Sequence, residues 1–147
     1  EIKRELDSYK GKISTNNTKS KFIIKKLEYY DWEILKSFWD WIPSWQNSIT
    51  SIKKLENNVI SLGIYDNNLL AGYIVYNPTT NRINQFATNK KTRNLGSAKN
   101  LFQHISKNNE NLFYVNNIDS NSINSKNFLL SLGLEFFIKQ YEMELRI

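Results

Sequence analysis

Cysteine is absent from the 147 residues, which removes disulfides, thiolate metal sites and cysteine nucleophiles together. Histidine occurs once, as His104. Nothing near it has metal-ligand spacing, so no metal site is expected and His104 reads as a rim residue. No apolar run approaches the ~20 residues of a membrane span, and no signal-peptide pattern appears. A cytoplasmic address without membrane contact is therefore the default expectation. The chain opens on Glu1 rather than Met, which leaves room for a missing upstream domain. Glycine and proline are scarce, at 5 and 2 residues, so each carries positional meaning.

What is present is a folding composition. The 40% hydrophobic and 14% aromatic content suits one domain with a sizeable core. A net charge of +6 favours an anionic partner: nucleic acid, a membrane surface or a phosphorylated cofactor. Asparagine is heavily used but interleaved with ordered patterns, which speaks against a prion-like tract.

The chain reads as alternating elements. Residues 1–20 are polar and charged, with breakers at Lys10–Gly11–Lys12 and Asn16–Asn17. They are expected to be a linker or N-terminal extension before a domain spanning 21–147. Lys21–Leu27 reads as a strand. Asp31 caps an expected helix through Ile34, Leu35, Phe38 and Trp39, which Pro43 ends. Ser44 is expected to cap a second helix through Trp45, Ile49, Ile52 and Leu55. Val59–Tyr65 and Leu69–Tyr76 flank a hairpin signal at 66–68, and a turn at 77–81 leads to a strand at Arg82–Thr88. A helix over about 93–107, a strand at Leu112–Ile118 and a helix at Asn121–Leu132 stopped by Gly133 follow, with one or two strands at the end.

The stretch Lys90–Phe102, KKTRNLGSAKNLF, places Gly96 and Ala98 near an expected helix start among Lys90, Lys91, Arg93 and Lys99. Unpartnered backbone N–H groups and the positive end of the helix dipole gather there. Small residues let a ligand come close, so the stretch reads as a seat for an anion, most often a phosphate. A bland alternative is a loop glycine beside a solvated charge run.

This element order, with Arg93-Asn94-Leu95-Gly96-Ser97-Ala98 after the fourth strand and a late Leu132-Gly133-Leu134, resembles the GCN5-related N-acetyltransferase superfamily, over roughly Lys21–Ile147. The family signature is Gln/Arg-x-x-Gly-x-Gly/Ala. The resemblance implies an α+β fold, with a mixed, mostly antiparallel central sheet of six to seven strands flanked by about four helices. It implies acetyl-CoA as co-substrate, its pyrophosphate held by Arg93, Asn94, Leu95, Gly96, Ser97 and Ala98, and its pantetheine arm lying along Phe86, Ala87 and Thr88 like an added strand. It further implies acetyl transfer to a primary amine of a small molecule or peptide.

An amine with a pKa of ~10 must lose a proton before it attacks, and the departing thiolate benefits from an acid. The family's usual tyrosine acid, four residues before the late glycine, is replaced by Leu129, and its usual fourth-strand glutamate by Gln85. Tyr141 and Glu142 are the substitute catalytic candidates, with Tyr114 and Asp119 behind them. Each also reads as an ordinary strand residue. Trp39, Trp41 and Trp45 bracket Pro43. Trp39 is expected in the core, whereas Trp41 and Trp45, with Gln85, are expected to line an apolar or cation–π acceptor pocket. Two other readings stand beside this one: a catalytically weak or silent acyl-CoA-binding regulatory domain of a tandem protein, and a nucleic-acid binder. The basic residues are dispersed and no zinc, helix-turn-helix or RNA-sheet signature is present, so no nucleic acid is expected. A homodimer remains open.

Overall fold

A computed structural model describes residues 1–14 and 20–145; Asn16–Asn17 and the last two residues lie outside it. The described residues form a seven-stranded sheet with four α-helices. In chain order these are β1 (Ile2–Gly11), β2 (Ile23–Lys26), α1 (Trp32–Ser37), α2 (Ile49–Lys54), β3 (Ile60–Asp66), β4 (Leu69–Asn77), β5 (Arg82–Thr88), α3 (Ser97–Ser106), β6 (Phe113–Asp119), α4 (Ile123–Ser131) and β7 (Glu135–Met143). The strands lie in the order β2-β3-β4-β5-β6-β1-β7. Every pairing is antiparallel except β5 with β6. The α+β class and the mostly antiparallel mixed sheet match the expectation.

Local chemistry sets the boundaries. The Asp31 side chain accepts the Ile34 N–H at the start of α1, and Ser122 accepts the Ser125 N–H at the start of α4. Gly133, with φ +97°, ends α4 in the left-handed region that favours glycine, and a Cβ there would stand 3.1 Å from the Lys12 carbonyl. The single helix expected after Pro43 is two pieces. A 3-10 turn at Trp45–Asn47 comes first, and Ser48 rather than Ser44 then caps α2, accepting the Ser51 N–H.

The larger correction is at the start. Residues 1–20, read as a linker, contain β1, which sits between β6 and β7 and pairs with both. Its polar residues are satisfied across the sheet: Lys139 reaches Asp7 at 2.9 Å and Glu5 at 3.1 Å, and Arg4 reaches Glu142 at 3.2 Å. A strand whose charges find partners more than 130 residues away has no alternating apolar pattern of its own.

Successive residues of β4 feed opposite faces of the sheet. Tyr73 and Val75 pack with Leu35, Phe38 and Ile52 of the α1–α2 side. Ile74 packs with Leu101 and Phe102 of α3 and Leu129 of α4.

Candidate functional site

The parallel contact between β5 and β6 covers only two residue pairs, Arg82 with Tyr114 and Ile83 with Val115. Beyond them the strands part. A bulge accompanies the parting on each side. On β5, Val75 pairs with Gln85 and Tyr76 with Ile83, leaving Asn84 as an extra residue. On β6, Tyr9 pairs with Val115 and Asp7 with Ile118, and Asn117 adopts φ +61° with its N–H donated to Ser8 Oγ. Asparagine tolerates the left-handed region better than other side-chained residues. The gap opens into a cleft of about 700 Å³, within the size range of ligand sites.

One rim is the start of α3. Gly96 has φ +87° and is the N-cap, with no side-chain cap. Asn100 N–H makes the first helical bond, to the Gly96 carbonyl. The amides of Ser97, Ala98 and Lys99 therefore precede any helical partner. A Cβ built on Gly96 meets nothing closer than Asn100 Nδ2 at 3.8 Å, so the space above it is open. Lys99 also lines the cleft, is exposed and has no ion-pair partner among the described residues. The second rim is β5, where Phe86, Ala87 and Thr88 line the cleft and, among the described residues, have no strand partner on the β6 side. Helix start and unpaired strand edge thus face one cavity, which is the donor set that a phosphate joined to an extended amide chain requires.

Most of the residues expected at a cofactor site are brought together here: Phe86, Ala87, Thr88, Arg93, Asn94, Gly96, Ser97 and Ala98 all line the cleft. Leu95 does not, and is 52% exposed. The Arg93 guanidinium is committed elsewhere than to an anion. It meets Asp40 at 2.8 Å and donates to the Phe38 carbonyl, fastening the end of α1 to the rim.

The floor is a neutral hydrogen-bond relay. Trp39 Nε1–H donates to Tyr73 Oη, Tyr73 donates to Gln85 Oε1, and Gln85 Nε2–H donates to the Asn47 carbonyl. Asn47 Nδ2 in turn donates to the Asn116 carbonyl, and Arg82 donates to Asn47 Oδ1. Burial pushes the Tyr73 phenol well above the usual tyrosine value, so it stays protonated and structural. Gln85 and Trp41 line the cleft as expected. Trp45 does not: the 3-10 turn leaves it 72% exposed.

Tyr141 and Glu142 do not line the cleft. Because β1 takes the place beside β6, β7 is displaced to the sheet edge. Tyr141 is 52% exposed there, and Glu142 is held by Arg4 and Lys3. Tyr114 packs against Phe137, and Asp119 pairs with Arg4 at 3.6 Å. Leu129, the position of the family tyrosine, is fully buried in the core, while its neighbour Phe128 faces the cleft in a ring cluster with Phe86 and Phe102. Sequence reasoning did not single out Asn84, Asn116 or Phe128. The adjacent side-chain amides Asn84-Gln85 and Asn116-Asn117 inside two strand patterns were the available signal for the bulges.

No family model matches the chain, and no curated protein matches it. Solved structures do. The X-ray structure of a Drosophila protein from a structural-genomics programme superposes with a TM-score of 0.65 at 17% identity, over 94% of this chain and 49% of that one. A GCN5-related N-acetyltransferase from Sphaerobacter thermophilus superposes with a TM-score of 0.61 at 10% identity, over 96% of this chain and 51% of that one. The chain therefore spans about half the length of each. Among the described residues no helix is long and apolar enough to cross a membrane. The seven-stranded sheet, its four helices and its parted β5 and β6 make this a GCN5-related N-acetyltransferase-like fold.

Proposed function

We propose that the chain is an N-acyltransferase that moves an acetyl group from acetyl-CoA to a primary amine by direct transfer. The observation that carries this reading is the shared cavity: the open helix start at Gly96 and the unpaired edge of β5 face the same cleft. Acetyl-CoA supplies an acetyl group already activated as a thioester. The amides of Ser97, Ala98 and Lys99 hold the pyrophosphate, with the Lys99 ammonium adding charge. Phe86–Thr88 orient the pantetheine arm by backbone hydrogen bonds, and the Phe86–Phe102–Phe128 cluster excludes water beside it. The opposite wall, from Trp41 and Pro43, receives the acceptor. Phosphorylated cofactor, rather than nucleic acid or membrane, then accounts for the basic charge.

A second reading, an acyl-CoA-binding domain with little turnover, is favoured by one feature. Among the described residues the only carboxylate lining the cleft is Asp40, which Arg93 holds. Two measurements test the readings, the first for the cofactor that both share and the second for the transfer that separates them. Acetyl-CoA should raise the melting temperature where NAD and ATP at equal concentration do not, by ~2.7 kcal/mol of stabilisation at a hundredfold excess over Kd. Release of free CoA in the presence of a panel of primary amines then supports transfer. A CoA-stabilised protein that releases none between pH 6 and 9 supports the binding domain instead.

A further inference from the structure

Resting on the acyltransfer reading, we infer that Arg93 is a positioning residue for acceptor specificity. From the cofactor rim it clasps the Trp41 wall in place, and so confines transfer to primary amines carried on a short aromatic arm. The wall is the stretch 38–44 between α1 and the 3-10 turn, which belongs to no helix or strand. Without a ladder of its own, its shape rests on what holds it from outside. Arg93 Nη1 meets Asp40 Oδ1 at 2.9 Å and Oδ2 at 2.8 Å, and Nη2 donates to the Phe38 carbonyl at 2.8 Å. The same Nη2 stands 3.5 Å from the Thr88 carbonyl, at the end of the β5 edge. A guanidinium can serve a carboxylate and two carbonyls at once, where an ammonium cannot hold that planar geometry. On the far side, Tyr73 Oη takes the Trp39 Nε1–H at 2.7 Å, and Arg4 of β1 donates to the Ile42 carbonyl. Trp41 stands between these fastenings, half-buried against the core.

The clasp controls a partition. Asp40, Trp41 and Asn124 line both the main cleft of about 700 Å³ and a side cavity of about 350 Å³, whose other walls include Asp119, Ser122 and Ile123. With the wall fixed, an amine whose ring rests on Trp41 and Pro43 must present its nitrogen to the thioester within the main cleft. A short link between ring and nitrogen suits that space. With the wall released, the two cavities join, and a longer arm is accommodated as well. Arg93 itself touches no reacting atom. Its pair with Asp40 is partly exposed, with side chains 29% and 44% accessible, and such pairs add little to global stability. The clasp therefore acts on the shape of the pocket rather than on the fold. Acetyl-CoA, seated on the amides at the start of α3, does not depend on it.

The test is the double variant Arg93→Ala/Asp40→Ala, which removes the clasp without changing net charge, with benzylamine and 4-phenylbutylamine as probes. Its melting curve and its Kd for CoA should stay those of wild type. Wild type should favour benzylamine. The variant should lower the ratio of kcat/KM for benzylamine over 4-phenylbutylamine about tenfold, through a higher KM for benzylamine. Arg93→Lys, which keeps a cation for Asp40 but loses the fork that also reaches Phe38, should fall between them. Hydrogen exchange on CoA-loaded protein gives a readout that needs no turnover. Peptides covering residues 38–43 should exchange about tenfold faster in the double variant, and those of α3 should not. An unchanged ratio, or unchanged exchange over 38–43, overturns the inference. So does a variant that melts lower and slows both amines alike, which is what an arginine that only braces the fold would give. CoA release with other primary amines but with neither probe overturns it too. A wild type that binds no CoA, or binds it and releases none with any amine, removes the acyltransfer reading and this inference with it, which sets that failure apart.

Discussion

At position 129 the chain carries a leucine with no exposed surface, and at 128 a phenylalanine whose ring faces the cleft. Counting back from Gly133 singled out Leu129, but one step along a helix rotates a side chain by about 100°. That rotation separates core from cleft, and a nine-residue helix without a clear apolar stripe gives the sequence no way to fix it. Leu129→Tyr should therefore overpack the core rather than supply an acid, costing about 1–3 kcal/mol and lowering the melting temperature. Phe128→Tyr should keep the fold and set a hydroxyl in the cleft. If acid assistance limits turnover, it raises CoA release by up to the 10²–10⁴-fold that a general acid is worth, whereas Leu129→Tyr does not. Melting curves and CoA release on the two variants decide between these positions.

Among the elements, the β3–β4 hairpin, β5 and the α3 start were legible because each carries its own local signal. Asn67 at φ +52° makes the hairpin turn, the Asn77 side chain accepts from Thr79 and Thr80 N–H, and Gly96 begins α3. The strand β1 was not legible. Its apolar residues are Ile2, Leu6 and Tyr9 in ten positions, and bulges against both neighbours break the two-residue period. Its charges look like a solvated linker until Lys139 and Glu142 are brought beside them. The same insertion moved the expected catalytic pair of β7 out of reach of the cleft. A chain shortened to residues 21–147 should thus fail to fold cooperatively, because it strips β6 and β7 of their shared partner and removes the fully buried Tyr9. Circular dichroism melting would show this; a sharp transition near that of the whole chain would mean β1 is dispensable.

Across the whole molecule, the alkaline limit of stability follows from the tyrosines. Burial raises Tyr73 most and also raises Tyr9, Tyr65 and Tyr76, and its bond to Asp7, then to Glu5, raises Lys139. Each group binds its proton more tightly when folded, so its contribution is complete below its unfolded value and fades as pH climbs beyond it, from about 10 for both residue types. The melting temperature should be level from pH 7 to 9 and fall above 10. Tyr73→Phe should cost about 1–3 kcal/mol of stability at neutral pH, since Trp39 Nε1–H and Gln85 Oε1 lose their partner, yet its melting temperature should fall less steeply above pH 10. The central claim is that the open start of α3 seats the pyrophosphate of acetyl-CoA. The measurement that tests it most directly is calorimetric titration of acetyl-CoA into wild type and Gly96→Glu, with circular dichroism as the folding control. At φ +87° any side chain costs about 1–2 kcal/mol of strain, which a folded domain of this size tolerates, but a carboxylate in the open space above residue 96 opposes the anion. Saturable binding to wild type and its loss in a folded Gly96→Glu is the predicted result; equal affinity in both proteins would contradict the account.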